Sequence, residues 1–311
     1  MNVHMVTHWM GKRSHRQPWP RLVRYLKDGL GWTASHKADH EADVNYILTY
    51  SVGWRRYADP WRLYEELGTP LVCRIGERPP YGIKARLWDQ ATEIVNLRLT
   101  ESTQYLGMLA QYGAAAKVEL FPVEHDLLTI SQRAPNERPT VGVVGYTVPN
   151  GRKGSVLVNE LAHYPGTRQW RIKAAGRGWP VETKEYKYRD LWRFYNSLDV
   201  HLCPTVSGDS PTSPFEALAC GVPLVIPRGV GLLDELPDTH GIYRYEMGNF
   251  DAMVATLQRC IDELGTHDRE ALRALTENMT VEKLCEDHRL AFERTFGEET
   301  KMQSMPEWAA S

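Results

Sequence analysis

The chain has 311 residues, of which 42% are hydrophobic and 24% charged, and its formal net charge is −2. This length allows two α/β domains with cores of their own, and a net charge so near zero excludes a globally basic nucleic-acid-binding protein. The five cysteines form no Cys-x-x-Cys pair, which indicates neither a zinc site nor a disulfide framework and favours a reducing compartment.

The chain carries no sign of a targeting or membrane segment. Its first residues lack a signal-peptide pattern, and no apolar run reaches the about 18 residues that a membrane helix needs. We therefore expect a cytoplasmic protein without a transmembrane segment.

The charge is unevenly distributed along the chain. Residues 1–135 hold 17 basic against 14 acidic side chains, and residues 136–311 hold 20 against 25. The first part is thus mildly basic.

Short apolar runs alternate with amphipathic segments in the first part of the chain. The predicted strands cover residues 2–7, 43–49, 69–75, 95–99 and 116–121. The predicted helices cover residues 22–26, 60–67, 83–94 and 102–112. Strands that alternate with helices predict a parallel sheet.

Three loops that leave these strands are rich in basic and aromatic residues. Because ligands of open α/β sheets bind outside the carboxyl ends of the strands, these loops are candidates for a binding site. Solvated loops without a ligand are an equally good interpretation, since Arg and Lys are mostly exposed. The candidate residues are His8, Arg13, Trp54, Arg55, Glu77 and Arg78.

The second part repeats the alternation after a polar linker at residues 127–138. The predicted strands cover residues 140–145, 170–175, 199–204 and 222–226. The predicted helices begin at residue 155 and cover residues 190–197, 213–220, 250–264, 270–279 and 281–296. A second parallel sheet is therefore expected.

Two loops of this part have the composition of anion-binding sites. Arg152 and Lys153 precede a predicted helix, where backbone N–H groups, the helix dipole and the side-chain charges converge on one anion. The small-residue turn at 207–213 also leads into a helix, with Glu216 in its first turn. The alternatives are a surface turn with two solvated cations and an ordinary core unit in which Glu216 only favours the helix dipole.

The sequence resembles the GT4-type (glycosyltransferase group 1) enzymes of the GT-B fold. Residues 216–225, Glu-Ala-Leu-Ala-Cys-Gly-Val-Pro-Leu-Val, are similar to the donor-binding signature of that family. Residues 170–178 are similar to its Ile-Ala-Gly-x-Gly segment, and residues 227–236 to its Gly-Gly-x-x-Glu loop. The resemblance covers residues 100–296 and, more weakly, the first strand–helix units.

The family pattern is also broken in two places. Residues 153–154 match its Lys-Gly pair, but Tyr146 stands where an Arg is expected, and Arg152 is the candidate substitute. Gly208 stands where the family has its first Glu, and Asp209 is the nearest carboxylate.

The resemblance implies an α/β fold of two Rossmann-like, doubly wound domains that face a cleft (GT-B). Residues 1–130 would bind the acceptor and residues 131–280 the donor. Residues 281–311 would form a terminal helix that packs back on the first domain, followed by a tail. The implied reaction moves a sugar from a UDP- or GDP-sugar to a hydroxyl acceptor, with retention of configuration and without a metal or other cofactor.

The resemblance also assigns roles to residues. Lys153 and Arg152 would neutralise the donor diphosphate together with the backbone N–H groups of residues 212–215, Glu216 would hold donor hydroxyls, and Asp209 would contact the sugar. The other donor-site candidates are Gly145, Tyr146, Gly176, Tyr188, Ser210, Thr212, Ser213, Pro214 and Phe215. The loops with His8, Trp54 and Glu77 become acceptor candidates. Two residues also have a structural explanation, Tyr188 as a buried aromatic and His8 as a structural histidine.

Three functional hypotheses remain open. In the first, the protein is a glycosyltransferase whose acceptor is a glycan, lipid or other small molecule. In the second, the acceptor is DNA, and the basic and aromatic loops supply phosphate and base contacts after base flipping. The third hypothesis is a non-catalytic module that binds nucleotide-sugars, because the Arg and Glu of the family are missing. The eleven histidines show no ligand spacing and no Asp-x-Asp motif occurs, so no metal site is predicted.

Overall fold

A computed structural model describes residues 1–7, 18–48, 60–75, 83–119, 121–147, 151–206 and 211–297. The chain forms two compact units, one of Met1–Pro122 with Val281–Ser311 and one of Val123–Thr280. Residues just after Pro122 belong to the second unit because the Val123 amide donates to the Met279 carbonyl and Leu128 lies in the core of that unit.

The described part of the first unit contains a parallel sheet of six strands. They are β1 (Val3–Val6), β2 (Thr33–Ser35), β3 (Val44–Ile47), β4 (Leu71–Arg74), β5 (Leu97–Thr100) and β6 (Ala115–Lys117), in the order β2-β1-β3-β4-β5-β6. The central strands are buried along their whole length, as expected for a parallel sheet covered on both faces. The strand order reverses between β1 and β3.

Four helices connect these strands. They are α1 (Pro18–Leu30), α2 (Pro60–Leu67), α3 (Ile83–Ile94) and α4 (Thr103–Leu109). Helix α1 begins four residues earlier than the sequence predicted, because Pro18 and Pro20 fall in its first turn, where the missing N–H groups would have no helical partner.

The second unit also has a parallel sheet of six strands within its described residues. They are β7 (Thr140–Tyr146), β8 (Arg171–Arg177), β9 (Glu182–Lys184), β10 (Val200–Leu202), β11 (Leu224–Pro227) and β12 (Ile242–Tyr245), in the order β12-β11-β10-β7-β8-β9. This is the doubly wound order in which the chain reverses between the first and fourth strands, here β7 and β10.

The helices of the second unit cover both faces of its sheet. They are α5 (Ser155–His163), α6 (Leu191–Tyr195), α7 (Ser213–Ala219), α8 (Gly231–Asp234), α9 (Phe250–Asp262) and α10 (Arg269–Ala274).

Helix α10 is shorter than the predicted 270–279. Asp268 caps its start, and after its end the amide and hydroxyl of Thr276 both donate to the Arg273 carbonyl, which forms a turn instead of a further helical bond.

The last described helix, α11 (Val281–Phe296), covers the predicted residues and returns to the first unit. Phe292 and Leu284 share a buried cluster with Leu26 of α1. The two helices approach closely at Gly29, where a Cβ atom would lie 2.4 Å from the Cys285 sulfur. Among the described residues, no helix combines the length and apolar character required to cross a bilayer.

Candidate active site

The loops that leave β7 and β10 are joined at the point where the strand order of the second unit reverses. The Arg152 carbonyl accepts hydrogen bonds from the Val206 amide (2.9 Å) and the Thr205 hydroxyl (3.1 Å). At Gly154, with φ at +75°, a Cβ atom would lie 1.8 Å from the Pro204 carbonyl oxygen. The two backbones therefore touch where ligands of doubly wound sheets bind.

Helix α5 starts at the residue that follows this contact in the chain. The helix begins at Ser155, with Gly154 as its N-cap. The described residues place no side-chain cap and no acidic residue at its first turn. Arg152 is exposed and Lys153 is half-buried. An anion at this position would meet the positive end of the helix dipole and two cationic side chains.

Glu216 is held in a buried position on α7. Its side chain is 6% exposed, and its Oε2 atom accepts a hydrogen bond of 2.7 Å from the Tyr195 hydroxyl on α6. Burial and the neighbouring carboxylate raise the pKa of Tyr195, so its hydroxyl stays protonated and donates. Tyr195 therefore orients Glu216. The sequence analysis missed Tyr195, because it is 21 residues from Glu216 and lies in a different motif.

The start of α7 offers fewer amide donors than the sequence analysis expected. The Phe215 amide donates to the Thr212 carbonyl at 3.1 Å, and Pro214 has no N–H. The prediction that the backbone of all residues 212–215 faces a diphosphate is therefore wrong. Among the hydrogen bonds of the described residues, none occupies the amides of Thr212 and Ser213, which stay candidates for that role.

The close approach of β7 and β8 explains one of the two glycines that were predicted to serve a ligand. Gly145 and Gly176 are paired across the strands, and a Cβ atom on Gly176 would lie 2.0 Å from the Gly145 carbonyl oxygen. That carbonyl also accepts from the Trp179 indole at 2.8 Å. Gly176 is thus required by the sheet itself, whereas no atom of the described residues lies within 4 Å of the Cβ position of Gly145.

A cation from the neighbouring strand lies beside Tyr146, the residue that stands where the resemblance leads one to expect an arginine. Tyr146, at the end of β7, is 40% exposed, and the Arg177 guanidinium lies 5.9 Å from its ring centre. Arg177 also pairs with Glu185 at 2.8 Å. The sequence analysis did not single out Arg177, because only the β7–β8 register places it beside Tyr146.

Tyr188 lies in a 3-10 helix, Tyr188–Asp190, and is half-buried. With Tyr186 it packs against the core cluster that contains Phe194 and Phe215, which agrees with the interpretation of Tyr188 as a packed aromatic. Two donor-site candidates, Asp209 and Ser210, lie outside the described residues. So do all the acceptor-site candidates, which are His8, Arg13, Trp54, Arg55, Glu77 and Arg78.

The first unit has a buried ion pair where β4 and β5 end. The Arg74 guanidinium donates to the Glu101 carboxylate through two nitrogens, and Glu101 is buried. Arg74 also lies over the Trp19 ring, 5.1 Å from its centre, and Trp19 packs edge-on against Phe121. The sequence analysis did not identify this pair, because the partners come from different strands.

One side-chain cluster contains two of the histidines, for which the sequence predicted no metal site. The structure brings His240, Glu263 and His267 together, with ligand atoms that all lie within 4.8 Å of one another. The four-residue spacing of Glu263 and His267 was the available signal.

Comparison with known proteins supports the sequence resemblance. Residues 152–291 match a family model described as Glycosyl transferase-like, and no curated protein matches the sequence. The structure is similar to a glycosyltransferase from Rickettsia africae ESF-5, with a TM-score of 0.68 and 10% identity over 95% of this chain and 98% of that chain. It is similar to Anabaena Alr3699/HepE in complex with UDP, with a TM-score of 0.67 and 11% identity over 94% and 100% of the two chains. The lipopolysaccharide outer core galactosyltransferase WaaB gives a TM-score of 0.66 and 11% identity over 94% and 99%.

The two parallel six-stranded sheets and the extent of these similarities define the GT-B fold, which confirms the predicted fold class. The family match spans the loop at Arg152, the helix that carries Glu216 and the helices that follow. The chain therefore has the GT-B fold, and residues 152–291 match the Glycosyl transferase-like family model, which agrees with the resemblance that the sequence showed.

Proposed function

We propose that the second unit binds a UDP- or GDP-sugar and that the protein transfers the sugar to a hydroxyl acceptor. The observation that carries this proposal is the contact of the Arg152 and Gly154 backbone with residues 204–206. It brings a basic helix start and the segment leading to Glu216 to the same edge of one sheet. Two of the similar structures are Anabaena Alr3699/HepE in complex with UDP and with UDP and glucose.

The leaving diphosphate gains negative charge as the glycosidic bond breaks. In the proposed reaction Lys153, Arg152 and the first amides of α5 stabilise this charge from fixed positions, which requires no reorganisation during the step. Arg177 beside Tyr146 is a further cation at the same sheet edge. Because the charge develops in the transition state, loss of Lys153 should reduce turnover more than donor binding.

Glu216 is proposed to accept hydrogen bonds from donor hydroxyl groups. Its carboxylate is buried and is oriented by Tyr195, so a bound hydroxyl meets an acceptor of fixed position. Asp209 and Ser210 remain proposed contacts of the sugar side of the donor. Thr212, Ser213 and Tyr188 remain proposed neighbours of the donor.

Retention of configuration and independence of metal ions are part of the proposal and rest on the family resemblance. Front-face transfer requires no protein nucleophile. The cations and helix dipole at the α5 start are positioned to stabilise the diphosphate. We expect the product anomer, determined by NMR, to match the donor, and we expect transfer to continue in the presence of a chelator.

The acceptor is proposed to be a glycan or small molecule, with DNA as the competing class. His8, Arg13, Trp54, Arg55, Glu77 and Arg78 are the proposed acceptor residues. Incubation with labelled donor and three acceptor classes, namely oligosaccharides, small hydroxyl compounds and hydroxymethylated duplex DNA, distinguishes them. Labelling of DNA that weakens with salt would favour the DNA hypothesis.

A donor screen tests the proposal directly. One nucleotide-sugar should raise the melting temperature of the wild type, because only a true ligand stabilises the fold by binding. Glu216→Gln should weaken that donor by roughly 10- to 100-fold, which corresponds to about 1.5–3 kcal/mol for a hydrogen bond to a charged group. Glu160→Gln, at an exposed carboxylate of α5, is the matched control and should bind the donor as the wild type does.

Two results would contradict the proposal. If no nucleotide-sugar stabilises the wild type, the second unit is not a donor site. If Glu216→Gln binds the donor as tightly as Glu160→Gln, the buried carboxylate has no role in recognition. Donor binding without release of sugar to any acceptor or to water would favour the non-catalytic binding module.

A further inference from the structure

A second polar site lies at the opposite edge of the sheet of the second unit. His240 immediately precedes β12, and Glu263 follows the end of α9. His267 lies between α9 and α10. The strands are parallel, so the start of β12 is at the amino edge, whereas the loops with Lys153 and Glu216 lie at the carboxyl edge. The cluster is therefore separate from the candidate active site.

The three side chains are already close enough to share one ligand. The His240 Nε2 atom lies 3.0 Å from the Glu263 Oε2 atom, and the two imidazole ring centres are 4.8 Å apart. One ligand atom from each of the three residues lies within 4.8 Å of the other two. Ligand atoms around a tetrahedral metal ion with bonds of about 2.0–2.2 Å are separated by about 3.3–3.6 Å, a range that falls between the 3.0 Å from His240 to Glu263 and the 4.8 Å limit of the cluster.

Tyr243 holds the carboxylate in place. Its hydroxyl donates to Glu263 Oε2 at 2.6 Å and lies 2.8 Å from His267 Nε2. The Tyr243 ring is buried in the core, which fixes the position of its hydroxyl. Tyr243 thus contacts the same Glu263 oxygen that lies nearest to His240, and a hydrogen bond that orients a ligating carboxylate is typical of protein metal sites.

His267 has a ring nitrogen without a hydrogen bond. Its Nδ1 atom is buried and has no hydrogen-bond partner among the described residues.

We propose that His240, Glu263 and His267 form a binding site for a divalent transition metal ion, with Zn²⁺ as the ion that the two-imidazole, one-carboxylate donor set favours. The bound ion links the segment before β12 to the end of α9. The ion therefore cross-links residues 240 and 267 of the second unit. Because metal binding to the folded state adds to the free energy of folding, the bound ion stabilises this unit.

Zn²⁺ titration of the full, chelator-treated chain against a chromophoric chelator tests this proposal. The wild type should bind one equivalent, and His240→Ala/His267→Ala should bind at least 10-fold more weakly. Tyr243→Phe keeps the buried ring and removes only the hydroxyl, so we expect a loss of roughly 10-fold, the lower end of the range for such partners. The matched control is His36→Ala/His163→Ala, which removes two exposed histidines and should bind as the wild type does.

A thermal measurement covers the case in which the double variant does not fold. Zn²⁺ should raise the melting temperature of the wild type but not that of Glu263→Gln, and Mg²⁺ should raise neither. If the wild type binds Zn²⁺ no more tightly than His240→Ala/His267→Ala, or if Zn²⁺ stabilises Glu263→Gln equally, the cluster is a hydrogen-bonded network only and the proposal is wrong. The assay contains no nucleotide-sugar, so its result is independent of the proposed transferase function.

Discussion

Replacing Gly154 by alanine tests whether the contact between the loops that leave β7 and β10 holds the donor site together. A Cβ atom at Gly154 would lie 1.8 Å from the Pro204 carbonyl oxygen, which is 1.2 Å short of the 3.0 Å below which real Cβ contacts essentially never occur. The two loops must therefore separate by at least that distance. A misplacement of about 1 Å can reduce turnover on the order of 100-fold, so we expect a loss of that size in kcat/KM.

The chain supplies a matched control three residues away. Gly151 has φ at +73°, close to the +75° of Gly154, but none of the described residues places an atom within 4 Å of its Cβ position. Both alanine variants thus carry the same left-handed backbone strain, about 1–2 kcal/mol, and only Gly154→Ala adds the steric overlap. Donor affinity by calorimetry and kcat/KM should fall strongly for Gly154→Ala and by only a few-fold for Gly151→Ala. Equal activity of two folded variants would refute the reasoning.

Tyr195→Phe should weaken donor binding by roughly 10-fold or more, because Glu216 loses the hydroxyl that orients it, at about 1.5–3 kcal/mol for a charged hydrogen bond. Tyr112→Phe, which removes a tyrosine–carboxylate bond in the first unit, should leave donor binding unchanged, and equal effects of both variants on affinity would contradict the role of Tyr195. The buried His288 gives a pH prediction: burial lowers its pKa to about 4, so between pH 4 and about 6.5 the unfolded chain binds a proton that the folded chain does not. The free energy of unfolding should therefore decrease as the pH falls through this window, by up to about 1.4 kcal/mol per pH unit. Urea unfolding of His288→Leu at several pH values should show a shallower pH dependence, and an unchanged slope would show that His288 is not the titrating group.

The sequence alone determined most of the two sheets. Their central strands are short apolar runs because parallel strands are buried on both faces, and this pattern is visible in consecutive residues. Strands β2, β9 and β12 were not predicted. Strands β2 and β9 each have three residues that are exposed or half-buried, so neither contains an apolar run. In β12 the half-buried Arg244 interrupts the apolar run. The bounds of α11, residues 281–296, were predicted as observed.

The residues of the candidate site also include some that the sequence predicts and some that it does not. Lys153 and Glu216 were predictable because each belongs to a contiguous loop–helix segment whose chemistry is local. Tyr195 and Arg177 were not, since Tyr195 reaches Glu216 across 21 residues and Arg177 reaches Tyr146 only through the β7–β8 register. The sequence therefore determined which segments form strands, helices and anion-binding turns. Only the tertiary structure decided which side chains meet, because strand order and register bring distant residues together once the sheet is assembled.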